Sequence, residues 1–472
     1  MADIRLTSSR APATAGDSGD EELRARLHRA IPGGAHTYSR GDDQFPRIAP
    51  PALARGKGAY VWDADGNRYL DYGMALRSVT LGYADDRVNA AAAAEMSKGI
   101  GLTRPSLTEL HAAEALIGLV PSVEMVKFAK NGSNVTTAAV KIARAFTDRR
   151  YVCVPRQQPF FSFDDWFIGT TPVRRGIPSE FHAATLLFDY GDPASLRRLL
   201  DEHPGQVAAV MLEPATALVP CPGECAARLA STGCCAGACP SSSGNFLRVV
   251  QDMCRADGAL LILDEMITGF RWHIAGAQAV FGVTPDLSTF GKAMANGFSV
   301  AAVGGRRDVM EVGAIDRPGA ERTFLLSTTH GAEMTGLGAF LETVRIYREE
   351  EVVGHLWSFG RRLQRGLNEL SASRGLGPYV RLDGPPVALN LVATGPDGVA
   401  SPGFRTLLVQ ELLRRGVMMP WVAFSQSHGE PELDLTLSAF EGALGTYASA
   451  LQDGWERFLE GPPARPVFRE RN

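Results

Sequence analysis

Three charged residues stand within two positions of apolar segments that are typical of buried strands: Glu213 after Val207–Leu212, Asp264 after Ala259–Leu263, and Lys292 after Leu287–Phe290. The carboxyl ends of neighbouring parallel strands meet at one edge of a sheet, and open α/β sheets bind ligands there. The sequence therefore predicts that an amine and two carboxylates converge at one site. A purely structural ion pair between a buried lysine and a buried acid is the alternative that these residue types leave open.

The same residue types suit the chemistry of pyridoxal phosphate. That cofactor needs a lysine for a Schiff base, an acid that keeps its pyridine nitrogen protonated, and a cradle for its phosphate. Lys130–Thr137 is a candidate cradle, because it is rich in small and polar residues and opens the predicted helix Thr136–Thr147. Amides at a helix N-terminus can bind phosphate, although an ordinary N-capped loop has the same composition.

The elements that must position these residues alternate along the chain. From about Val88, helical patterns alternate with short β-rich segments, which predicts βαβ units and an α/β fold with a mostly parallel sheet. The β-rich segments are Met125–Phe128, Tyr151–Val154, Thr185–Phe188, Val207–Leu212, Ala259–Leu263 and Ala301–Val303.

Changes in this pattern predict the domain organisation. We expect residues 1–20 to be a disordered lead-in and residues 21–90 to contain a small antiparallel sheet around the turn Asp65–Asn67. Residues 91–335 are expected to form a large cofactor-binding domain, and residues 336–472 a smaller C-terminal domain.

A cysteine-rich segment, residues 220–243, interrupts the large domain. It is predicted to be a loop insertion and holds Cys221, Cys225, Cys234, Cys235 and Cys239. Their spacing differs from the paired C-x2-C pattern of common zinc and iron–sulfur sites. Incidental thiols are therefore favoured over a metal centre, and no metal is predicted.

Composition narrows the class of partner. The chain carries a net charge of −4 and 45% hydrophobic residues, so nothing indicates a surface for nucleic acid or for a membrane. No apolar stretch reaches the roughly 18 residues of a membrane span, and no secretory h-region is present. We expect a cytoplasmic protein with reduced thiols that acts on a small molecule.

Two motifs carry a resemblance to a known family. DEMITGFR (Asp264–Arg271) and PDLSTFGKAMANGF (Pro285–Phe298) resemble the signature of the class III, or subgroup II, pyridoxal-phosphate-dependent aminotransferases. VWDADGNRYLDYG, NGSNVT and LEP follow the family order, and Ile31–Gly34 with Arg40 is similar to its glutamate-1-semialdehyde 2,1-aminomutase branch. The resemblance implies a fold type I transferase, with helices on both faces of the central sheet and a smaller α/β domain built from N- and C-terminal segments.

The resemblance also implies roles for particular residues. Lys292 would form the Schiff base and move a proton, Asp264 would pair with the pyridine nitrogen, and Glu213 would lie beside the lysine. Cofactor contacts are implied at Asn131, Gly132, Ser133, Phe160, Met266, Thr328 and Thr329. Phe160 and Met266 would pack on opposite faces of the ring, and Thr328 would reach the phosphate of a neighbouring subunit. A homodimer with shared active sites follows from that last role.

Arg40 is implied as the residue that grips a substrate carboxylate, with Arg77 and Arg271 as competitors. The chain departs from the family at Phe161, where a histidine is usual, and near Trp421–His428, where the aminomutase glutamate has no clear match. We therefore expect amino-group transfer on another small amine or keto substrate, between two molecules or within one. Epimerisation, decarboxylation, a C–C bond reaction and a non-catalytic scaffold are the alternatives.

Overall fold

The computed structural model describes residues 18–216, 219–220, 245–323 and 325–472. The predicted lead-in up to residue 17 and the cysteine-rich segment from Cys221 onwards lie outside the described residues. The described residues divide into two compact units. Unit 1 contains those up to Gly73 with Arg361–Leu382 and Asn390–Val467, and unit 2 contains those of Met74–Gly360 with Asp383–Leu389 and Phe468–Asn472.

The strands of the described residues are short. They are β1 (Leu53–Lys57), β2 (Tyr60–Asp63), β3 (Arg68–Asp71), β4 (Met125–Ala129), β5 (Tyr151–Pro155), β6 (Thr185–Phe188), β7 (Val207–Leu212), β8 (Leu260–Asp264), β9 (Leu287–Phe290), β10 (Ala301–Gly305), β11 (Val380–Asp383), β12 (Asn390–Ala393) and β13 (Val417–Met418).

The α-helices of the described residues vary from single turns to long elements. They are α1 (Ser18–Ala30), α2 (Asp86–Met96), α3 (Leu107–Ile117), α4 (Gly132–Thr147), α5 (Asp165–Ile168), α6 (Ser179–His182), α7 (Pro193–Glu202), α8 (Phe246–Asp257), α9 (Ala277–Phe281), α10 (Arg307–Met310), α11 (Met334–Glu349), α12 (Val352–Ser373), α13 (Pro402–Leu413) and α14 (Glu430–Asp453). Within the described part of the chain, none of them combines the length and apolarity that a membrane crossing requires.

The core of unit 2 is a seven-stranded sheet with the order β4-β10-β9-β8-β7-β5-β6. Pairing is parallel from β6 across to β9, and β10 runs antiparallel to both of its neighbours. Helix α4 packs against β9 and β10, and α8 packs against β7 and β8. The predicted α/β fold, with a mostly parallel sheet between helices, is confirmed.

The two central strands explain why the charged residues at their ends are buried. All residues of β7 and β8 are buried, as expected for strands that are covered by helices on both faces. Strand β8 includes Asp264, one residue beyond the predicted end at Leu263. The acid is thus held by the sheet itself rather than by a following loop.

Unit 1 contains a second sheet with the order β1-β2-β3-β13. The turn between β2 and β3 is stabilised by the Asp63 carboxylate, which accepts hydrogen bonds from the backbone amides of Asp65 (3.1 Å) and Asn67 (2.8 Å). The polar groups of this turn thus form hydrogen bonds with one another, as expected of an Asx-type turn. Strand β13, from the C-terminal region, pairs in parallel with β3, so unit 1 joins N- and C-terminal segments.

A buried carboxylate fixes the chain after β8. The Glu265 side chain is fully buried and accepts hydrogen bonds from the backbone amides of Ala277 and Gln278, both at 2.8 Å, and from the Thr268 hydroxyl. These amides belong to the first turn of α9, where a helix offers no carbonyl partner. The clamp therefore holds the segment that follows Asp264 against the sheet.

Replacing Glu265 by alanine is expected to lower the free energy of unfolding by about 3 kcal/mol, because buried donors lose a charged acceptor. Urea-induced unfolding followed by tryptophan fluorescence measures the change. Glu202→Ala, at an exposed position on α7, is the matched control and should change the value by less than about 0.5 kcal/mol. Equal losses in the two variants would contradict the clamp.

Candidate active site

Glu213, Asp264 and Lys292 lie at the carboxyl ends of adjacent parallel strands. Glu213 follows β7 directly, Asp264 is the last residue of β8, and Lys292 lies two residues beyond β9. The β8–β9 register places Asp264 opposite Thr289. The structure brings these three residues close enough for their charges to act on one another.

The Asp264 carboxylate is buried, and only one of its two oxygen atoms accepts hydrogen bonds from described residues. Its Oδ1 atom accepts hydrogen bonds from the Met266 amide (3.0 Å) and the Thr289 hydroxyl (2.9 Å), whereas no other described residue donates to Oδ2. Burial raises the pKa of Asp264 to about 6, although the Lys292 charge and the two hydrogen bonds favour the ionised form. A further cation at Oδ2, such as a protonated ring nitrogen, would stabilise the carboxylate.

The Lys292 side chain is half-buried. Burial lowers its pKa, the carboxyls of Asp264 and Glu213 oppose that change, and nearby arginines reinforce it. The residue has a φ of 39°. A residue other than glycine keeps this left-handed backbone conformation only where its surroundings hold it. An amine of this kind is neutral part of the time and can act as a nucleophile.

Glu213 is held by a residue that the sequence did not single out. The Gln158 side chain accepts from the Glu213 amide (2.8 Å) and donates to the Glu213 carbonyl (3.0 Å). Burial and the charge of Asp264 raise the pKa of Glu213 to about 8, against the opposing effects of Lys292 and Arg77. Burial therefore favours the protonated form of this carboxyl.

The segment predicted as a phosphate cradle begins helix α4. Asn131 caps the helix, because its Oδ1 atom accepts from the Asn134 amide at 3.0 Å. Ser133 is buried, and its hydroxyl accepts from the Phe163 amide at 3.1 Å. The amides of Gly132 and Ser133 lie in the first turn, where the helix provides no acceptor. A phosphate fits this position and the helix dipole.

Met266 connects the cradle to the lysine. A Cβ atom placed on Gly132 would lie 3.1 Å from the Met266 Cε atom, and one placed on Gly291 would lie 2.3 Å from its Sδ atom. Only glycine lets both backbones approach the thioether this closely. The residues implied for phosphate, ring face and Schiff base are therefore neighbours.

The two adjacent phenylalanines have different environments. Phe161 is buried in the core of unit 2 and packs edge-on against Phe167. Phe160 is 46% exposed, although its ring lies near those of Phe167 and Phe468. Of the two rings, that of Phe160 is therefore the one accessible to another group.

Unit 2 begins with a left-handed turn, Met74–Arg77. The φ angles of Met74, Ala75, Leu76 and Arg77 are 41°, 48°, 62° and 69°, although none of these residues is glycine. Such a conformation costs roughly 1–2 kcal/mol per residue. Hydrogen bonds to other residues stabilise the backbone of this turn. The Ala75 amide, for example, donates to the Tyr83 hydroxyl at 2.8 Å. The turn was not predicted.

Arg271, a predicted competitor for substrate, is fully buried. Its Nη2 atom donates to the Arg77 carbonyl at 3.1 Å. Burial lowers the pKa of Arg271 to about 10, and the side chain thus fixes the backbone that presents Arg77.

The remaining predicted residues, Arg40, Thr328 and Thr329, are exposed. Arg40 is exposed in the 3-10 turn Tyr38–Arg40 of unit 1. Thr328 and Thr329 are exposed in unit 2. They belong to a backbone turn in which the Gly331 amide donates to the Thr328 carbonyl. The described residues contain no cluster of three or more potential metal ligands.

The raised pKa of Glu213 predicts a pH dependence of stability. The folded protein retains a proton that the unfolded chain releases, so this stability is present below about pH 4 and is lost as the pH rises through about 8. Between about pH 5 and about pH 9, the free energy of unfolding of the cofactor-free wild type should fall relative to Glu213→Gln by on the order of 1–3 kcal/mol. Urea unfolding at several pH values tests this, and parallel curves would contradict it.

Comparisons with known proteins agree with this geometry. Residues 38–422 match the family model described as aminotransferase class III. The chain is 32% identical over 442 residues to a glutamate-1-semialdehyde 2,1-aminomutase of Thermus thermophilus, covering 88% of this chain and 96% of that protein.

Two solved structures share the fold over nearly their whole length. The PLP internal aldimine form of the FumI protein from Sphingopyxis sp. MTA144 has a TM-score of 0.80 at 27% identity, covering 94% of this chain and 98% of that chain. An omega-transaminase from Sphaerobacter thermophilus has a TM-score of 0.77 at 26% identity, covering 92% and 99%. The resemblance carried by the motifs is confirmed. The chain belongs to the class III aminotransferases, pyridoxal-phosphate-dependent enzymes of amino-group transfer.

Proposed function

We propose that the chain transfers the amino group of a small amine to a keto acceptor, or moves it within one molecule, with Lys292 as the reacting amine of the protein. The observation that carries this proposal is the position of the half-buried Lys292 and of Asp264 at the ends of the adjacent strands β9 and β8, together with the lowered pKa of the lysine. An amine of lowered pKa can form a covalent bond to an aldehyde and can carry a proton near neutral pH.

Pyridoxal phosphate supplies an electron sink when it is bound. The residues that would hold it are Lys292 as the covalent anchor, Asp264 Oδ2 as the counter-charge of the ring nitrogen, and the first-turn amides of Gly132 and Ser133 as phosphate donors. Asn131 supports the same cradle through its cap on α4. This set of groups matches the charges of the cofactor.

The ring faces are proposed to pack against Met266 and Phe160. The contacts of Met266 with Gly132 and Gly291 support the first assignment, and the exposed fraction of Phe160 supports the second. Apolar packing of this kind excludes water, which strengthens the interaction of Asp264 with a cation.

Proton transfer is proposed to occur between Lys292 Nζ and the substrate. Glu213 supports this role because its raised pKa keeps a proton next to the lysine and avoids a second negative charge beside Asp264. The neutral carboxyl can donate a hydrogen bond or release its proton when the lysine needs it.

The assembly is proposed to be a homodimer with shared active sites. The exposed side chains of Thr328 and Thr329 support this, since a neighbouring subunit could reach them. The proposed location is the cytoplasm. The buried thiols of Cys153 and Cys254, both free, are compatible with a reducing compartment.

Lys292→Ala is expected to abolish the absorbance band of the covalently attached cofactor and to lower amino transfer at least about 100-fold, because both the covalent anchor and the proton carrier are lost. Absorbance spectra and amine-product assays of the loaded protein test this. The matched control is Lys98→Ala, at an exposed lysine on the protein surface, and it should behave as wild type. A coloured, fully active Lys292→Ala protein would refute the proposal.

The two forms of amino-group transfer, between two molecules and within one molecule, differ in whether they need a separate keto acceptor. In the first case, an amine donor alone produces one equivalent of keto product per site, and turnover continues only after a keto acceptor is added. In the second case, a single amino-aldehyde substrate is isomerised without any acceptor. A screen of donors and acceptors measured by mass spectrometry separates the two. Racemised or decarboxylated products, without keto product, would indicate an alternative chemistry.

A further inference from the structure

Lys130 is a charged residue that the roles proposed above do not use. It lies between β4 and the helix α4, directly before the cap residue Asn131. Its Nζ atom donates to the Glu333 Oε1 atom at 2.6 Å, although the two residues are 203 positions apart in the sequence. Both side chains are mostly shielded from solvent, with exposed fractions of 26% for Lys130 and 14% for Glu333. The ion pair therefore ties the start of the phosphate cradle to a distant segment of unit 2.

Glu333 also caps the helix α11. Its two carboxylate oxygen atoms accept hydrogen bonds from the amides of Thr335 and Gly336, both at 3.1 Å. Burial favours the neutral carboxyl, but the hydrogen bonds from Lys130, Thr335 and Gly336 outweigh burial and lower the pKa of Glu333. The carboxylate is therefore charged at neutral pH and holds the start of the cradle and the start of the helix at once.

The turn that carries Thr328 lies against the end of β4. A Cβ atom placed on Gly331, in this turn, would lie 3.2 Å from the Phe128 carbonyl oxygen and 2.7 Å from the Thr328 Oγ1 atom. Glu333 follows the turn directly in the sequence, after a single intervening residue. The Thr328 turn and the start of the cradle are therefore neighbours, and the ion pair joins them.

A third segment contacts Lys130 through its backbone. The Ser299 hydroxyl donates to the Lys130 carbonyl at 2.6 Å, and Ser299 follows the 3-10 turn Lys292–Ala295 in the sequence. Helix α11 packs against that 3-10 turn. A Cβ atom placed on Gly336 would lie 3.1 Å from the Ser299 carbonyl oxygen, so glycine permits this close approach. The cradle, the lysine and the Thr328 turn are thus connected around one ion pair.

We propose that Lys130 and Glu333 are positioning residues for the cofactor phosphate, because their ion pair fixes the cradle and the Thr328 turn in the geometry that receives it. The proposal rests on the proposed function, in which the phosphate of pyridoxal phosphate lies at the start of α4. Neither side chain has to contact the phosphate, since the Lys130 ammonium is already engaged by Glu333. Donors that are fixed before binding lose less conformational freedom when the ligand arrives.

An ordinary surface ion pair would not have this effect. The pairs of Arg345 with Glu342 and Glu349 lie within the single helix α11, and the Arg345 side chain is 48% exposed. Exposed pairs of this kind stabilise a helix slightly and position no other segment. The pair of Lys130 and Glu333 instead joins two segments, so loss of either charge releases the contact between them.

The test compares pyridoxal phosphate with pyridoxal, which lacks the phosphate group but keeps the aldehyde that reacts with an amine. Equilibrium dialysis of the full chain, freed of cofactor, gives the affinity for each probe, and the ratio of the two affinities isolates the contribution of the phosphate. Lys130→Met removes the cation, Glu333→Gln removes the negative charge but keeps an oxygen for the helix cap, and Lys130→Arg keeps the pair. Arg345→Met breaks exposed ion pairs on the same helix and is the matched control.

We expect Lys130→Met and Glu333→Gln each to weaken the binding of pyridoxal phosphate at least about tenfold, with the affinity for pyridoxal changed less than about twofold. The double variant should lose no more affinity than the more affected single variant, because both substitutions break the same pair. Lys130→Arg and Arg345→Met should bind both probes within about twofold of wild type, since one keeps the pair and the other loses only exposed pairs.

Three results would overturn the proposal. Loss of affinity for pyridoxal phosphate in Lys130→Met but not in Glu333→Gln would make Lys130 a direct phosphate ligand instead. Equal losses for both probes, or failure of both variants to fold, would indicate a purely structural ion pair. An unchanged affinity ratio in both variants would exclude any role of the pair at the phosphate.

These failures differ from a failure of the proposed function. Both probes are measured at equilibrium without substrate, whereas amino transfer is measured by product formation. An unchanged affinity ratio in the two variants, together with an inactive Lys292→Ala protein, would remove the present proposal and keep the proposed function. A wild-type protein that attaches neither probe covalently would refute the proposed function and, with it, the role of Lys130 and Glu333.

Discussion

The Asp264 carboxylate is buried and Lys292 is half-buried at the end of the neighbouring strand, so the ionisation of each depends on the charge of the other. Burial alone would neutralise both groups, and their mutual attraction opposes that neutralisation. The balance leaves a lysine that can lose its proton and an acid that gains from a further cation. These are the two properties that pyridoxal-phosphate chemistry requires of a protein.

The surrounding fold maintains this balance. The strands β7 and β8 are buried along their whole length, and charges at their ends therefore interact through a medium of low polarity. Glu265 and Gln158 hold the backbone on either side of the charged residues through hydrogen bonds to main-chain groups. Polar side chains at this edge thus serve two purposes, since some react and others fix the chain that carries them.

The central strands could be predicted from sequence because they are continuously apolar, and the position of Asp264 was missed by only one residue. Helix α4 begins at Gly132, four residues before the predicted start at Thr136, because the cap formed by Asn131 leaves no mark on hydrophobic periodicity. The left-handed turn had no sequence signal, since positive φ normally selects glycine or asparagine. Gln158 meets Glu213 because β5 and β7 are neighbours in the sheet, a relation that local sequence cannot reveal.

The thioether of Met266 lies against backbone on two sides, at Gly132 and at Gly291. A displacement of this side chain would consequently shift both the start of α4 and the turn that carries Lys292. An atom added at this sulfur, for instance the oxygen of methionine sulfoxide, has no free space towards either backbone. Oxidation of this one atom would therefore displace the phosphate cradle and the lysine turn together.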